Sequence, residues 1–226
     1  MHQNFSQLTS RILIMGNKVI TAVDQSIQAM TANDTAIASQ VRQTEKLVDS
    51  MYYGINEQCL EIMSGGQFAR IDINFIVNSL KIAMELERIC DYANQIAKLV
   101  QKKFSQQDVQ ILSSLNPPAA KMKDQTTEML SIALECYEKL DISLANRLID
   151  ADDLVDKKNR ELFRDMLCVG SMHPWGQEVI MDYHVAIRYL ERVADRAANI
   201  GELVHYIVSG APVKKPAYEE LIWDDN

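Results

Sequence analysis

The chain has 226 residues, 47% of them hydrophobic, which is enough to bury a sizeable core as one large domain or two small ones. Its 8 glycines and 5 prolines are too few for a turn-rich sheet protein, so an all-α fold of long helices is expected. A formal net charge of −8 excludes a general affinity for nucleic acid or anionic lipid, because no surplus of Lys and Arg is present to displace phosphate counterions.

The opening stretch "MHQNFSQLTSRILIMG" has no basic region leading into a long apolar segment, and nowhere do 18 apolar residues follow one another. A chain neither exported nor membrane-spanning is expected. Breakers and caps predict six helices, over residues 3–30, 34–63, 67–104, 117–139, 142–168 and 175–208, punctuated by "TAND", "SGGQ", "SSLNPP", "KLD" and "GSMHPWG". Thirty residues span roughly 45 Å as a helix, a length typical of bundles.

In the third segment Ile82, Leu86, Ile89, Ala93, Ile96 and Val100 step by four and three, and in the sixth Ala186, Leu190, Val193, Ala197, Ile200 and Val204 do the same. This heptad seam predicts antiparallel helices at shallow crossing angles, with sequential helices as neighbours. The two halves also overlay. "DTAIASQVRQTEKLVD" at 34–49 matches "DISLANRLIDADDLVD" at 141–156, and "MELERICDYANQIA" at 84–97 matches "RYLERVADRAANIG" at 188–201. A tandem pair of three-helix bundles is expected, with repeats over 1–105 and 106–210 and a tail over 211–226. Leu221, Ile222 and Trp223 in that tail are candidates for docking on the bundle or on a partner.

Each half carries two acidic pairs spaced four apart: Glu45 with Asp49 and Glu87 with Asp91, then Asp152 with Asp156 and Glu191 with Asp195. Residues four apart share a helix face, and like charges there are destabilising unless a positive charge sits between them. With Leu86 and Ile89 in the seam, Glu87 and Asp91 fall on outward positions. With Val41, Val48 and Ile55 facing inward, Glu45 and Asp49 fall at the flank and outside, where they can meet the third helix's pair. Four carboxylates so gathered form an all-oxygen cluster suited to magnesium, manganese or iron. A single such pair is ordinarily a solvated face, and Arg88 and Arg192 are available to pair with these acids, so the pattern alone leaves both readings open.

The words "LERICDYANQIA" and "YLERVADRAANI" resemble the two copies of the LERIGD-type signature of the PhoU family, and the resemblance covers essentially the whole chain. It implies a cytoplasmic, non-enzymatic regulator, peripheral at the inner membrane face through its partners. Those partners would be the ATPase of a phosphate ABC transporter and a phosphate-sensing histidine kinase, with the starvation response repressed when phosphate is plentiful; a homodimer is compatible with it. It also implies a multinuclear metal cluster in each repeat, with iron first and manganese, magnesium or zinc as alternatives. The ligands would be Glu45, Asp49, Glu87 and Asp91 for one cluster and Asp152, Asp156, Glu191 and Asp195 for the other. The chain departs from the family word at Cys90 and Ala194, where Gly is usual, and at Arg196, where His is usual. Arg196 sets a positive charge beside Asp195, and Cys90 reads as a packing residue.

The remaining signals are bland. Cys59, Cys90, Cys136 and Cys168 are far apart and suggest neither zinc nor disulfides, as suits a reducing compartment. Of the histidines, only His205 follows a glutamate, Glu202, by three residues, so a ferritin-type di-iron enzyme is not supported and His173, His184 and His205 read as structural or surface groups. No Walker-type loop or nucleophile motif occurs. A carboxylate-bridged metalloenzyme and a plain helical adaptor stand as the alternatives to a regulatory binding protein.

Overall fold

Seven α-helices follow one another in the computed structural model, which describes residues 2–101 and 105–211. They are α1 (His2–Ala32), α2 (Thr35–Ser64), α3 (Arg70–Val100), α4 (Gln106–Leu112), α5 (Asn116–Lys139), α6 (Ile142–Met172) and α7 (Gln177–Ser209), with one 3-10 turn at Pro174–Gly176. Among the described residues there is no strand. Six long helices occur where the sequence predicts them, and Leu221, Ile222 and Trp223 lie outside the described residues.

Three boundaries differ from the expectation, each for a local reason. Helix α4 occupies what reads as a connector, because Ser105 and Asp108 form a capping box: Ser105 Oγ accepts from Asp108 N–H at 3.2 Å while Ser105 N–H donates to Asp108 Oδ2 at 2.8 Å. Ile111 and Leu112 then bury themselves on the bundle. Helix α6 runs past Gly170 to Met172, since a single glycine does not stop a helix, and ends at His173, whose backbone is held out of the helical region by the proline that follows. Helix α3 begins at Arg70, later than expected, because Phe68 leaves the turn to pack near Phe5, with ring centroids 6.5 Å apart.

The hairpins that open the two halves are built alike. Asn33 (φ 50°) and Leu140 (φ 51°) each end a helix in the left-handed conformation, and Asp34 and Asp141 cap the next one. Asp34 Oδ1 accepts from Ala36 and Ile37 N–H at 2.8 and 3.1 Å, and Asp141 Oδ1 accepts from Ser143 N–H at 2.8 Å. The backbone N–H groups of Asp34 and Asp141 reach back to Ala29 and Cys136 carbonyls, closing the helix ends in Schellman fashion.

Helices α1, α2 and α3 pack together, α5, α6 and α7 pack together, and the halves join through α3 on α7 and α1 on α5. All twelve seam residues of α3 and α7 are buried. The register across the joint is reciprocal. Glu85 of α3 meets Arg196 of α7 at 3.1 Å, and Tyr92 of α3 stacks on Tyr189 of α7 at 5.8 Å. The repeat offset that carries Glu87 to Glu191 carries Glu85 to Tyr189 and Tyr92 to Arg196, so the same two positions face each other from both sides. That reciprocity is the mark of an approximate two-fold axis, with α3 and α7 antiparallel. On the α1–α5 side Lys123 bonds Asp24 at 2.6 Å, and Asn116 accepts from Tyr183 Oη at 3.1 Å while donating to the Thr31 carbonyl at 3.3 Å. Helices α2 and α6 therefore flank the central joint, one in each half.

Two outcomes are expected from these contacts. Leu140 is a branched residue in a conformation that suits Gly or Asn, and its counterpart in the first half is Asn33, so Leu140→Asn should stabilise the protein by about 1 kcal/mol in a denaturant titration. Glu85→Ala leaves the Arg196 guanidinium, with 28% of its side chain exposed, without its partner across the joint. It should destabilise by about 1–3 kcal/mol in the same titration.

Candidate functional site

The acidic pairs face one another across two grooves, one in each half, because antiparallel hairpin helices set Glu45 and Asp49 of α2 beside Glu87 and Asp91 of α3, and Asp152 and Asp156 of α6 beside Glu191 and Asp195 of α7. The buried Val41, Val48 and Ile55 on α2, and Leu86 and Ile89 on α3, point the intervening acids outward as their spacing predicts. Seven of the eight carboxylates are partly buried and Asp195 stands exposed at the rim.

The grouping shows in the proton affinities. In the first groove partial burial and the charge of Asp49 and Asp91 hold Glu45 above the usual carboxylate range, against the pull of Asn94 and Lys98. Glu87 and Asp91 are raised for the same two reasons, burial first and the neighbouring carboxylates second. In the second groove Asp152 is pushed up to about 6 by burial and by Asp195, Asp156, Asp153 and Glu191, and its Oδ1 is buried with no hydrogen-bond partner. Asp195 is raised by partial burial and by Asp156, while Arg188, Arg196 and Arg192 pull it down.

The arginines flanking the acidic words have other partners. Arg88 pairs with Glu85 at 3.8 Å, and Arg192 lies over the Tyr92 ring at 5.9 Å. Arg196 turns away from Asp195 to bond Glu85 across the joint. Two cations do reach the second cluster: Arg188 pairs with Glu191, and Arg160 sits 3.5 Å from Asp156. Cys90 lies fully buried beneath the first groove, its thiol pushed up by burial and by all four carboxylates, which leaves it a packing residue.

Several residues of these grooves are absent from the sequence reading. Asp153, Arg188, Asn94 and Asn159 all touch or bias the clusters. The two asparagines had a sequence signal, since each follows an aspartate of an acidic word by three residues. Arg188 had one as well, standing three residues before Glu191 on the same helix. His173 packs edge-on against Trp175, His205 bonds Ser209, and His184 lies against Phe163 with its Nδ1 buried and unpartnered.

The donor set is all oxygen and partly desolvated, a composition hard cations select, although in the second cluster Arg188 and Arg160 already pair with Glu191 and Asp156. The unpartnered Asp152 Oδ1 fits such an ion. Among the described residues no three His, Cys, Asp or Glu side chains close around a single point.

The chain matches the PhoU domain twice, over residues 12–100 and 119–204. The phosphate-specific transport system accessory protein PhoU homolog of Pseudomonas putida is 28% identical over 213 residues, which are 92% of this chain and 80% of that protein. The accessory protein PhoU of Escherichia coli (strain K12) is 28% identical over 214 residues, 95% of this chain and 87% of that one. The crystal structure of PhoU from Pseudomonas aeruginosa aligns with a TM-score of 0.81 at 27% identity, covering 93% of this chain and 99% of that one. The phosphate transport system regulatory protein PhoU of Streptococcus pneumoniae aligns with a TM-score of 0.80 over 95% and 99%, and at 20% identity shows the shared fold.

The raised Asp152 gives a pH dependence with a definite sign. Its folded pKa of about 6 lies above its ordinary 3.8, so between those values the folded chain binds more protons than the unfolded one. Stability from this group is therefore lost as pH rises through that window. Metal-free protein should melt higher at pH 5 than at pH 7 on this account. Asp152→Asn should flatten the difference and raise the pH 7 melting temperature, and differential scanning calorimetry of chelator-treated protein reads both.

Proposed function

Because this chain belongs to the PhoU family, we propose that it serves as an accessory regulator of phosphate-specific transport, acting by protein contact. The observation that carries this reading is the pair of outward carboxylate grooves, one in each repeat, on helices that the central joint holds in fixed relation. Curated relatives of similar length are named as accessory proteins of phosphate-specific transport, and no described helix of this chain is long and apolar enough to cross a membrane. The finer assignment is a cytoplasmic protein that links the ATPase of a phosphate ABC transporter to a phosphate-sensing histidine kinase and restrains the starvation response when phosphate is abundant.

Exposed apolar side chains support a docking role over an enzymatic one. They recur at repeat-equivalent positions: Leu47 with Leu154, Leu60 with Leu167, Val77 with Met181, and Ile71 with Trp175. These lie on the same four helices that carry the acids, or on the turn before α7, and supply apolar anchors beside charged grooves.

A cation in each groove belongs to the same proposal. Glu45, Asp49, Glu87 and Asp91 would hold one and Asp152, Asp156, Glu191 and Asp195 the other, with iron as first choice and manganese, magnesium or zinc as alternatives. Bound there, it would neutralise the clustered carboxylates and tie the two helices of a hairpin together. The chain's own part is to orient the oxygens and keep Arg196 engaged with Glu85, out of the ions' way.

Two measurements test this function. Protein purified without chelator or metal-affinity resin should carry metal by elemental analysis, and the variant Glu87→Ala, Asp91→Ala, Glu191→Ala, Asp195→Ala should lose it; a metal-free wild type sinks the cation assignment. Immobilised chain should retain the transporter ATPase and the sensor kinase from its own cell under phosphate-rich conditions. Retention of neither would overturn the regulatory reading.

A further inference from the structure

Each acidic cluster has an asparagine that the family words do not account for. Asp91 of α3 is followed three residues on by Asn94, and Asp156 of α6 by Asn159, so each asparagine shares a helix face with its aspartate. At the same spacing after Asp49 and Asp195 stand Tyr52 and Ala198. One helix of each half thus carries the motif, and it is not the equivalent helix. Duplication did not copy it; each half has its own.

Both side chains are more than nine-tenths buried, Asn94 at 5% and Asn159 at 7% exposure. Both lie beside the glutamate of the opposite helix: Asn159 Nδ2 donates to Glu191 Oε1 at 2.8 Å, and the Asn94 amide is near enough to Glu45 to lower its proton affinity. In both, the carbonyl Oδ1 is buried and has no hydrogen-bond partner. A buried carbonyl oxygen without a donor is costly, and of the several such amide oxygens among the described residues these two belong to side chains whose amides neighbour the acidic clusters.

We propose that Asn94 and Asn159 each supply a neutral oxygen ligand, through Oδ1, to a divalent cation held in their groove. The proposal rests on the reading of the grooves as cation sites. Hard cations take amide carbonyls together with carboxylates, and a neutral donor adds coordination without adding to the repulsion among the acids. It also makes the two sites unlike each other: the extra ligand enters from α3, the inner helix, in the first half, and from α6, the flanking helix, in the second.

Manganese(II) alone is the probe, added to the full chain after chelator treatment, with calorimetric titration for affinity and elemental analysis for stoichiometry. Asn94→Ala and Asn159→Ala should each weaken manganese binding about tenfold or more at one site while the other site keeps its affinity, and that intact site reports a folded chain. Asn94→Asp and Asn159→Asp keep an oxygen donor but lose the N–H, and should retain manganese. Alanine variants that bind as the wild type does would overturn the proposal while leaving the cation sites standing. Aspartate variants that lose manganese as the alanine variants do would also overturn it, since the N–H hold on the glutamate would then be what matters. A wild type that takes up no manganese would sink the cation sites and this proposal together.

Discussion

Small and branched side chains along one seam of α3 and α7 bring two helices from different repeats into antiparallel contact, and the position of every other element follows from that joint. Ala93 and Ala97 on α3, with Ala186, Ala197 and Gly201 on α7, keep the crossing regions narrow. Gly201 is needed for a neighbouring approach, since a β-carbon there would sit 2.9 Å from Leu148 Cδ1 and 3.4 Å from Ala145 Cα. With α3 and α7 locked by Glu85, Arg196, Tyr92 and Tyr189, each remaining hairpin helix has one exposed flank and one groove, and the acids occupy the groove.

The grooves concentrate like charge where water is partly excluded, which opposes folding. The molecule offsets this with a large apolar core and relieves it locally, by a raised proton affinity at groups such as Asp152 and by the amides of Asn94 and Asn159. The relief is uneven. Lys98 and Arg88 soften the first groove, whereas Arg188, Arg192 and Arg196 all lower the second. Two clusters of common origin therefore carry different local fields.

Arg196 illustrates how far sequence position constrains a side chain. Beside Asp195 in the chain, it reads as a competitor for that carboxylate. In the fold it spans the joint to Glu85, because the antiparallel register puts a partly buried acid from the other repeat within reach. Arg88 and Arg192 behave likewise, finding Glu85 and the Tyr92 ring in place of the acidic words they adjoin.

By itself the sequence determined the helical class, the six long helices, the duplication and the outward positions of acids such as Glu87 and Asp91, because all of these follow from spacing along one helix at a time. Heptad steps such as Ile82, Leu86 and Ile89 fix a face, and a face fixes where Glu87 and Asp91 must point. Only the tertiary structure decided what meets across helices: the reciprocal joint of Glu85 with Arg196, the gathering of each half's two acidic pairs in one groove, the capping of α4, and the unpartnered oxygens of Asn94 and Asn159. Contacts between helices depend on register and rotation that no single helix's periodicity encodes, and the electrostatics of the site belong to those contacts.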